Sequence, residues 1–375
     1  MKERPTANQR LILLNPGPVT LTARVRNALG AGDWCHREPE FAALIRDINL
    51  RLTQVHDSLA QDYFAVTLAG SGTSAVEAML ASFAPDAKTT LVLANGVYGE
   101  RMQRMLEAHG KPCQLVEHAW TDAIDIQAVE NCLAADPDIT HLAVVHHETT
   151  TGRLNDVAAI GRLCKARGVT LLLDAVSSFG AERIDAGAWN LGALAATANK
   201  CLHGVAGLSF VLAHKELWAG PAMRAGSVYL DLRAYHAAQH RDGYSPFTLP
   251  VQVAFALHEA LLEHAEQGGA EARRQLYLAR ARRVHAVLAA GGVGTLLRPD
   301  EYSSVLWSYQ LPPGHGYAAL HDALKAAGFI IYAGQGDLGR HIFRIAHMGD
   351  IQEADLLGLC TALTASLPAS LDAQP

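Results

Sequence analysis

The chain has few charged residues, only 18% of 375, and only seven of its 31 basic residues are lysines. Its formal net charge of −6 provides no basic field for a nucleic-acid backbone. No apolar run reaches the roughly 18 to 20 residues of a membrane span. The six cysteines are scattered without a Cys-x-x-Cys pair, which argues against a disulfide framework or a zinc site. The polar start Met1 to Arg10 and the short run Leu11 to Leu14 lack the shape of a signal peptide. A soluble cytoplasmic protein is expected, with neither nucleic acid nor membrane as a partner.

Half of the residues are apolar, which at this length is enough for two domains and a large core. From about residue 60 to 215, short apolar runs alternate with amphipathic segments. The runs are Tyr63–Leu68, Thr90–Ala94, His141–Val145, Val169–Leu173 and Leu208–Ala213; the segment Asn155–Arg167 ends at Gly168. Such alternation predicts an α/β fold with a mostly parallel sheet. After Pro250 the spacing predicts long helices over Val251–Glu266 and Ala270–Ala289. An α+β unit follows, with strands Ser304–Leu311, Phe329–Tyr332 and His341–Ala346 and helices Tyr317–Ala327 and Gln352–Ser366. The expected division is an arm over 1–20, a large domain over 21–265 and a small domain over 266–375, with Pro368–Pro375 a frayed end.

Lys200 is the only formally charged residue between Asp185 and Lys215. Burial among small apolar residues disfavours the ammonium and frees the amine to act as a nucleophile, although an ordinary lysine at a sheet edge would snorkel to water. Its company changes the weighting. Asp174 closes the run Val169–Leu173, at the strand end where ligands of open α/β sheets collect; an N-cap or a metal ligand is the plainer reading of that residue alone. Gly70-Ser-Gly-Thr73 joins a strand to a helix start, a cradle for a phosphate on free backbone N–H groups. Tyr98, in Asn95-Gly-Val-Tyr-Gly99, could lay its ring on a flat cofactor. In His146-His-Glu-Thr-Thr-Thr-Gly152, the order of residues is not that of a zinc helix, and Glu148 and Thr150 are candidates for polar ligand contacts.

These residues, with Leu13-Leu-Asn-Pro-Gly-Pro-Val19, Asp33-Trp-Cys35, Asp174-Ala-Val-Ser-Ser-Phe-Gly180, Ala198-Asn-Lys-Cys201 and Phe343-Arg-Ile345, resemble the class V aminotransferase group of pyridoxal-phosphate enzymes. The likeness spans residues 13 to 345. It implies a type I pyridoxal-phosphate transferase fold and a homodimer with two sites at the subunit interface, so that 21–265 would be the cofactor-binding domain. By the same resemblance, Lys200 would carry pyridoxal 5'-phosphate, Asp174 would pair with its ring nitrogen, and Ser71, Gly72 and Thr73 would hold its phosphate. Tyr98 would stack on the ring, Thr150 would add a cofactor contact, and Thr248 would reach the phosphate from the neighbouring subunit. Arg344 and Glu148 would bind substrate, and a guanidinium fork suits a carboxylate or a phosphonate.

The implied reaction moves an amino group from a small amine, an aminophosphonate first, to pyruvate. Alanine or serine with glyoxylate or pyruvate is the alternative pairing. Ala206, His203, Gly226 and Gln335 depart from the group's usual proline, glutamine, arginine and lysine, all near where specificity is decided. A lyase of the cysteine desulfurase kind needs a mobile cysteine, and Cys201 reads as core. A binding protein without catalysis would have lost Lys200.

Overall fold

The computed structural model describes residues 10–367, so the expectations for Met1–Gln9 and for Pro368–Pro375 lie outside the described residues. Seven strands form the central sheet: β1 (Tyr63–Gly70), β2 (Thr89–Ala94), β3 (Cys113–Glu117), β4 (Ile139–Val145), β5 (Thr170–Asp174), β6 (Leu191–Thr197) and β7 (Gly207–His214). Their order is β1-β7-β6-β5-β4-β2-β3. Only β7 runs against its neighbours; the other ladders are parallel. Six strands therefore end at one edge of the sheet.

Successive side chains of a strand point to opposite faces, and both faces are covered here. Leu91, Leu93, Leu171, Leu173 and Leu194 enter one core cluster, while Val92, Leu172, Ala193 and Ala195 enter the other. This two-sided burial is why the runs are apolar throughout rather than alternating. The second face is covered by helices α1 (Gly72–Phe83) and α2 (Val97–Ala108). On the first face, α3 (Val157–Arg167) starts at Asp156, whose side chain accepts from Ala159 N, and stops at Gly168 with φ 67°, the left-handed C-cap expected of that glycine.

Strand β6 is an addition to the sequence reading. Its alanines have weak intrinsic strand preference, yet it lies in mid-sheet with every residue buried, and small side chains let α1 approach closely. Edge strand β3 was likewise not anticipated.

Beyond α4 (Val251–Glu266) and α5 (Gly269–Ala290), a three-stranded antiparallel sheet is built from β8 (Leu306–Gln310), β9 (Tyr332–Ala333) and β10 (Ile342–Ala346), in the order β8-β10-β9. The expected single strand Phe329–Tyr332 is divided. Phe329–Ile330 pairs parallel with Ile12–Leu13, whereas Tyr332 pairs with Arg344, and buried Ile331 fills the core between them. The N-terminal segment is thereby stitched to the C-terminal unit. Among the described residues no helix is long and apolar enough to cross a membrane.

Candidate active site

The carboxyl ends of β1, β2, β4, β5 and β6 deliver Ser71–Thr73, Asn95–Tyr98, His146–Gly152, Asp174 and Asn199–Lys200 to one edge. Parallel pairing makes the convergence unavoidable: residues distant in sequence, such as Leu93 and Val144, leave neighbouring strands at the same level. Register sets Val145 opposite Asp174 and Asp174 opposite Ala195.

Asp174 is buried, and one oxygen, Oδ1, accepts from Val176 N at 2.9 Å. Among the described residues its other oxygen has no hydrogen-bond partner. Burial pushes the carboxyl up to about 6 against the pull of that hydrogen bond and of the Lys200 and Arg101 charges. Lys200 is moved the other way, down to about 8, again chiefly by burial. Its Nζ donates to Pro16 O, beneath the loop Asn15–Pro18. The contact is close enough that a Cβ on Gly17, at φ +110°, would lie 2.6 Å from Lys200 Cδ. Lys111 supplies the contrast: it too is buried, but Asp86 pairs with its ammonium at 2.9 Å. Among the described residues Lys200 has no carboxylate in salt-bridge contact.

One cleft is lined by Thr73, Tyr98, Arg101, Asp174 and Val176. At its rim α1 begins at Ser71, whose side chain makes no cap bond, and the first turn of α1 holds no acidic residue. The N–H groups at such a start have no partner within the helix, and their dipole favours an anion. Sequence reasoning gave Arg101 no role. Its guanidinium lies 4.8 Å from the centroid of the Tyr98 ring, and Nη1 donates to Thr73 Oγ1 at 3.3 Å. The signal was present, since positions three apart share a helix face.

Glu148 is fully buried and turned toward the start of α2. Its Oε1 accepts from Thr150 Oγ1 at 2.6 Å and from Thr150 N at 3.1 Å, while Thr150 Oγ1 accepts from Val97 N at 3.2 Å. Burial pushes its carboxyl up to about 7. Its Oε2 is buried without a partner. Glu148 and Thr150 thus brace the turn that presents Tyr98.

Arg344 comes from the other unit, on β10. It is buried and spends Nε on Ala333 O at 2.8 Å and Nη1 on Thr149 O at 2.6 Å, which leaves Nη2 without a recorded partner. It sits close enough to Lys200 to help depress the lysine's pKa. Thr248 is not part of this group. It is exposed, with its Oγ1 3.3 Å from His36 Nε2. His146 and His147 are bonded to Ser178 and to Ser177 and Ser303 in the core.

The fit to pyridoxal phosphate can be judged from this donor set. An unused carboxylate oxygen suits a ring N–H, free backbone N–H groups suit a phosphate, and a lysine held near neutrality suits a carbonyl carbon. All three are present at the carboxyl edge of the central sheet.

The family model described as aminotransferase class V matches residues 65–338. The chain belongs to the class V aminotransferases. A curated relative from Pseudomonas putida (strain W619), named 2-aminoethylphosphonate–pyruvate transaminase, is 38% identical over 86% of this chain and 88% of its own length. A protein of the same name from Salmonella schwarzengrund (strain CVM19633) is 34% identical over 96% of this chain and 98% of its own. Among solved structures, pyridoxamine–pyruvate aminotransferase from Mesorhizobium loti superposes with a TM-score of 0.88 at 28% identity, covering 97% of this chain and 93% of that one. This class V aminotransferase is a pyridoxal-phosphate-dependent enzyme, as its sequence implied.

Proposed function

We propose that the enzyme transfers the amino group of 2-aminoethylphosphonate to pyruvate, giving phosphonoacetaldehyde and L-alanine. The names of the relatives at 34% and 38% identity support this donor. The observation that carries the reading is the pairing of Lys200, held down to about 8, with Arg344, whose Nη2 is uncommitted. One group handles the amine end of a short donor and the other its acidic end.

Pyridoxal phosphate, when bound, supplies the electron sink for the bond broken at the amine-bearing carbon. Ser71, Gly72 and Thr73 would hold its phosphate, with Thr150 bracing Tyr98 at the ring. Asp174, with one oxygen left over by Val176 N, would keep a proton at the ring nitrogen. Lys200 would hold the cofactor, and its amine, in the neutral form, would take a proton at the donor carbon and return it. A pKa near the working pH suits both taking and returning that proton. Arg344 orients the acidic group so that the carbon faces the lysine.

The same reading makes residues 21–265 the cofactor-binding unit and 266–375 the unit that brings Arg344. The pair of subunits would place Thr248 of one chain at the phosphate of the other. Trp34, Val228 and Tyr229, respectively 45%, 82% and 39% exposed, offer apolar surface for a second copy to cover. The compartment proposed is the cytoplasm.

A second donor class has one observation in its favour. Gly226 brings no charge and lies by His109, and the Gln335 carbonyl oxygen is buried without a partner, so the cations available for a doubly charged phosphonate are few. Alanine or serine would then be the donor. The lyase reading is disfavoured because Cys201 is fully buried, its thiol pushed up to about 12. The test is L-alanine formation from pyruvate with 2-aminoethylphosphonate and with L-serine in parallel, and glycine formation from glyoxylate with L-alanine as donor. Saturable turnover with 2-aminoethylphosphonate and a kcat/KM at least about tenfold above that with L-serine is expected; turnover with serine alone would move the enzyme to the second class.

A further inference from the structure

Helix α5 is rich in arginine and alanine. In the fold it presents Arg273, Tyr277 and Arg280 inward on one stripe, 3%, 0% and 7% exposed. Buried guanidinium groups normally require paired charge. Among the described residues neither arginine has a carboxylate in salt-bridge contact, and their bonds go mainly to backbone carbonyls. Arg273 Nη1 donates to Cys201 O at 2.6 Å. Arg280 donates to His347 O at 2.8 Å, Gly349 O at 3.1 Å and Ile351 O at 2.7 Å. The first carbonyl belongs to the loop of Lys200, and the other three belong to the loop that follows the strand of Arg344.

Between the two arginines the loops meet directly. His203 N donates to Lys200 O at 2.9 Å. The Nε2 atom of the same residue accepts from Gly349 N at 2.8 Å and contacts the Tyr277 hydroxyl. A backbone N–H can only donate, so Nε2 carries no proton and the neutral ring holds its proton on Nδ1. His203 also keeps φ at +61°, a left-handed conformation that a non-glycine residue retains only when its surroundings hold it there.

We propose that His203 is a positioning residue: by fastening the Lys200 loop to Gly349, whose own loop is held by Arg280 of α5, it sets the separation of Lys200 and Arg344 and so the length of donor the enzyme prefers. The inference rests on the roles proposed above for those two residues. Glutamine at 203 would offer an amide oxygen to the same N–H, whereas glycine offers none and relieves the backbone conformation.

The test uses holoenzyme: wild type, His203→Gly, His203→Gln and Tyr277→Phe. Each is assayed for kcat/KM with 2-aminoethylphosphonate and with 3-aminopropylphosphonate, one carbon longer, beside a pH titration of the cofactor's absorption band and a thermal melt. In wild type the shorter donor is preferred. In His203→Gly the ratio of the two kcat/KM values falls by about tenfold or more, since small misplacements at a reacting centre are costly. His203→Gln recovers most of the ratio, and Tyr277→Phe shifts it in the same direction as glycine but less. Equal losses for both donors, leaving the ratio at its wild-type value, would overturn the positioning role even if every variant melts earlier. A wild type that turns over neither phosphonate would overturn the substrate reading, and the positioning role with it.

Discussion

Lys200 and Pro16, far apart in the chain, are joined by a hydrogen bond from the lysine ammonium to the proline carbonyl. The loop Asn15–Pro18 thereby covers the Lys200 side chain, with Gly17 close against it. Gly17→Ala would add a Cβ 2.6 Å from Lys200 Cδ and 2.9 Å from Cε, on a backbone at φ +110°. The variant should lose more than about tenfold in kcat, with incomplete cofactor loading visible in its absorption spectrum. A fully loaded variant of normal activity would show that the loop does not set the lysine's position.

Asp174 predicts a conflict between stability and function. Its carboxyl rises from 3.8 to about 6 on folding, so the folded cofactor-free protein binds the extra proton between those values. Stability conferred by this group is therefore present at low pH and lost as pH rises from about 4 to about 6. Asp174→Asn removes that cost, on the order of 2–3 kcal/mol at neutral pH, while removing the charge proposed to keep the ring nitrogen protonated. Denaturant unfolding of the cofactor-free proteins at pH 7 should find the variant more stable, and the loaded variant should be nearly inactive. Loss of stability with retained turnover would contradict both halves.

Much of this arrangement was legible in the sequence. Asp174 and Ser71–Thr73 stand where a strand end must meet a crevice, and the lone charge of Lys200 in an apolar stretch signals its burial. What escaped notice depended on long-range contacts. β6 is built of alanines whose strand conformation is imposed by the flanking strands. The Pro16 loop lies over Lys200 in a segment tied to the C-terminal unit, where Ile12–Leu13 pairs with Phe329–Ile330 and Ala346 N donates to Leu14 O. Arg273 and Arg280 look like surface cations in sequence, and only the fold reveals that backbone carbonyls await them.

The brace beneath Tyr98 separates charge from hydrogen bonding. Glu148→Gln keeps an oxygen for Thr150 and should leave cofactor affinity within a few-fold of wild type. Glu148→Ala strands the buried Thr150 N–H at a cost of about 1–3 kcal/mol and should weaken cofactor binding, measured by equilibrium dialysis. Because the Glu148 carboxyl rises from 4.5 to about 7 on folding, stability from this group declines as pH climbs through that interval. The glutamine variant should lack that decline.

Thr248, exposed in a single chain, allows a direct test of the proposed pairing of subunits. Lys200→Ala and Thr248→Val, each impaired alone, should complement when mixed and allowed to exchange. Half of the dimers would then be mixed, each with one intact site, restoring up to about a quarter of wild-type activity in a two-fold assembly. No gain on mixing, with subunit exchange demonstrated, would place Thr248 outside the site.

The most direct test of the central claim is the visible spectrum of the loaded enzyme on adding 2-aminoethylphosphonate without pyruvate, with Lys200→Ala as the control. In wild type the yellow band of the loaded enzyme should bleach and return when pyruvate is added, whereas the variant should show no such cycle. A band that persists with the phosphonate, or an alanine variant that still cycles, would contradict it.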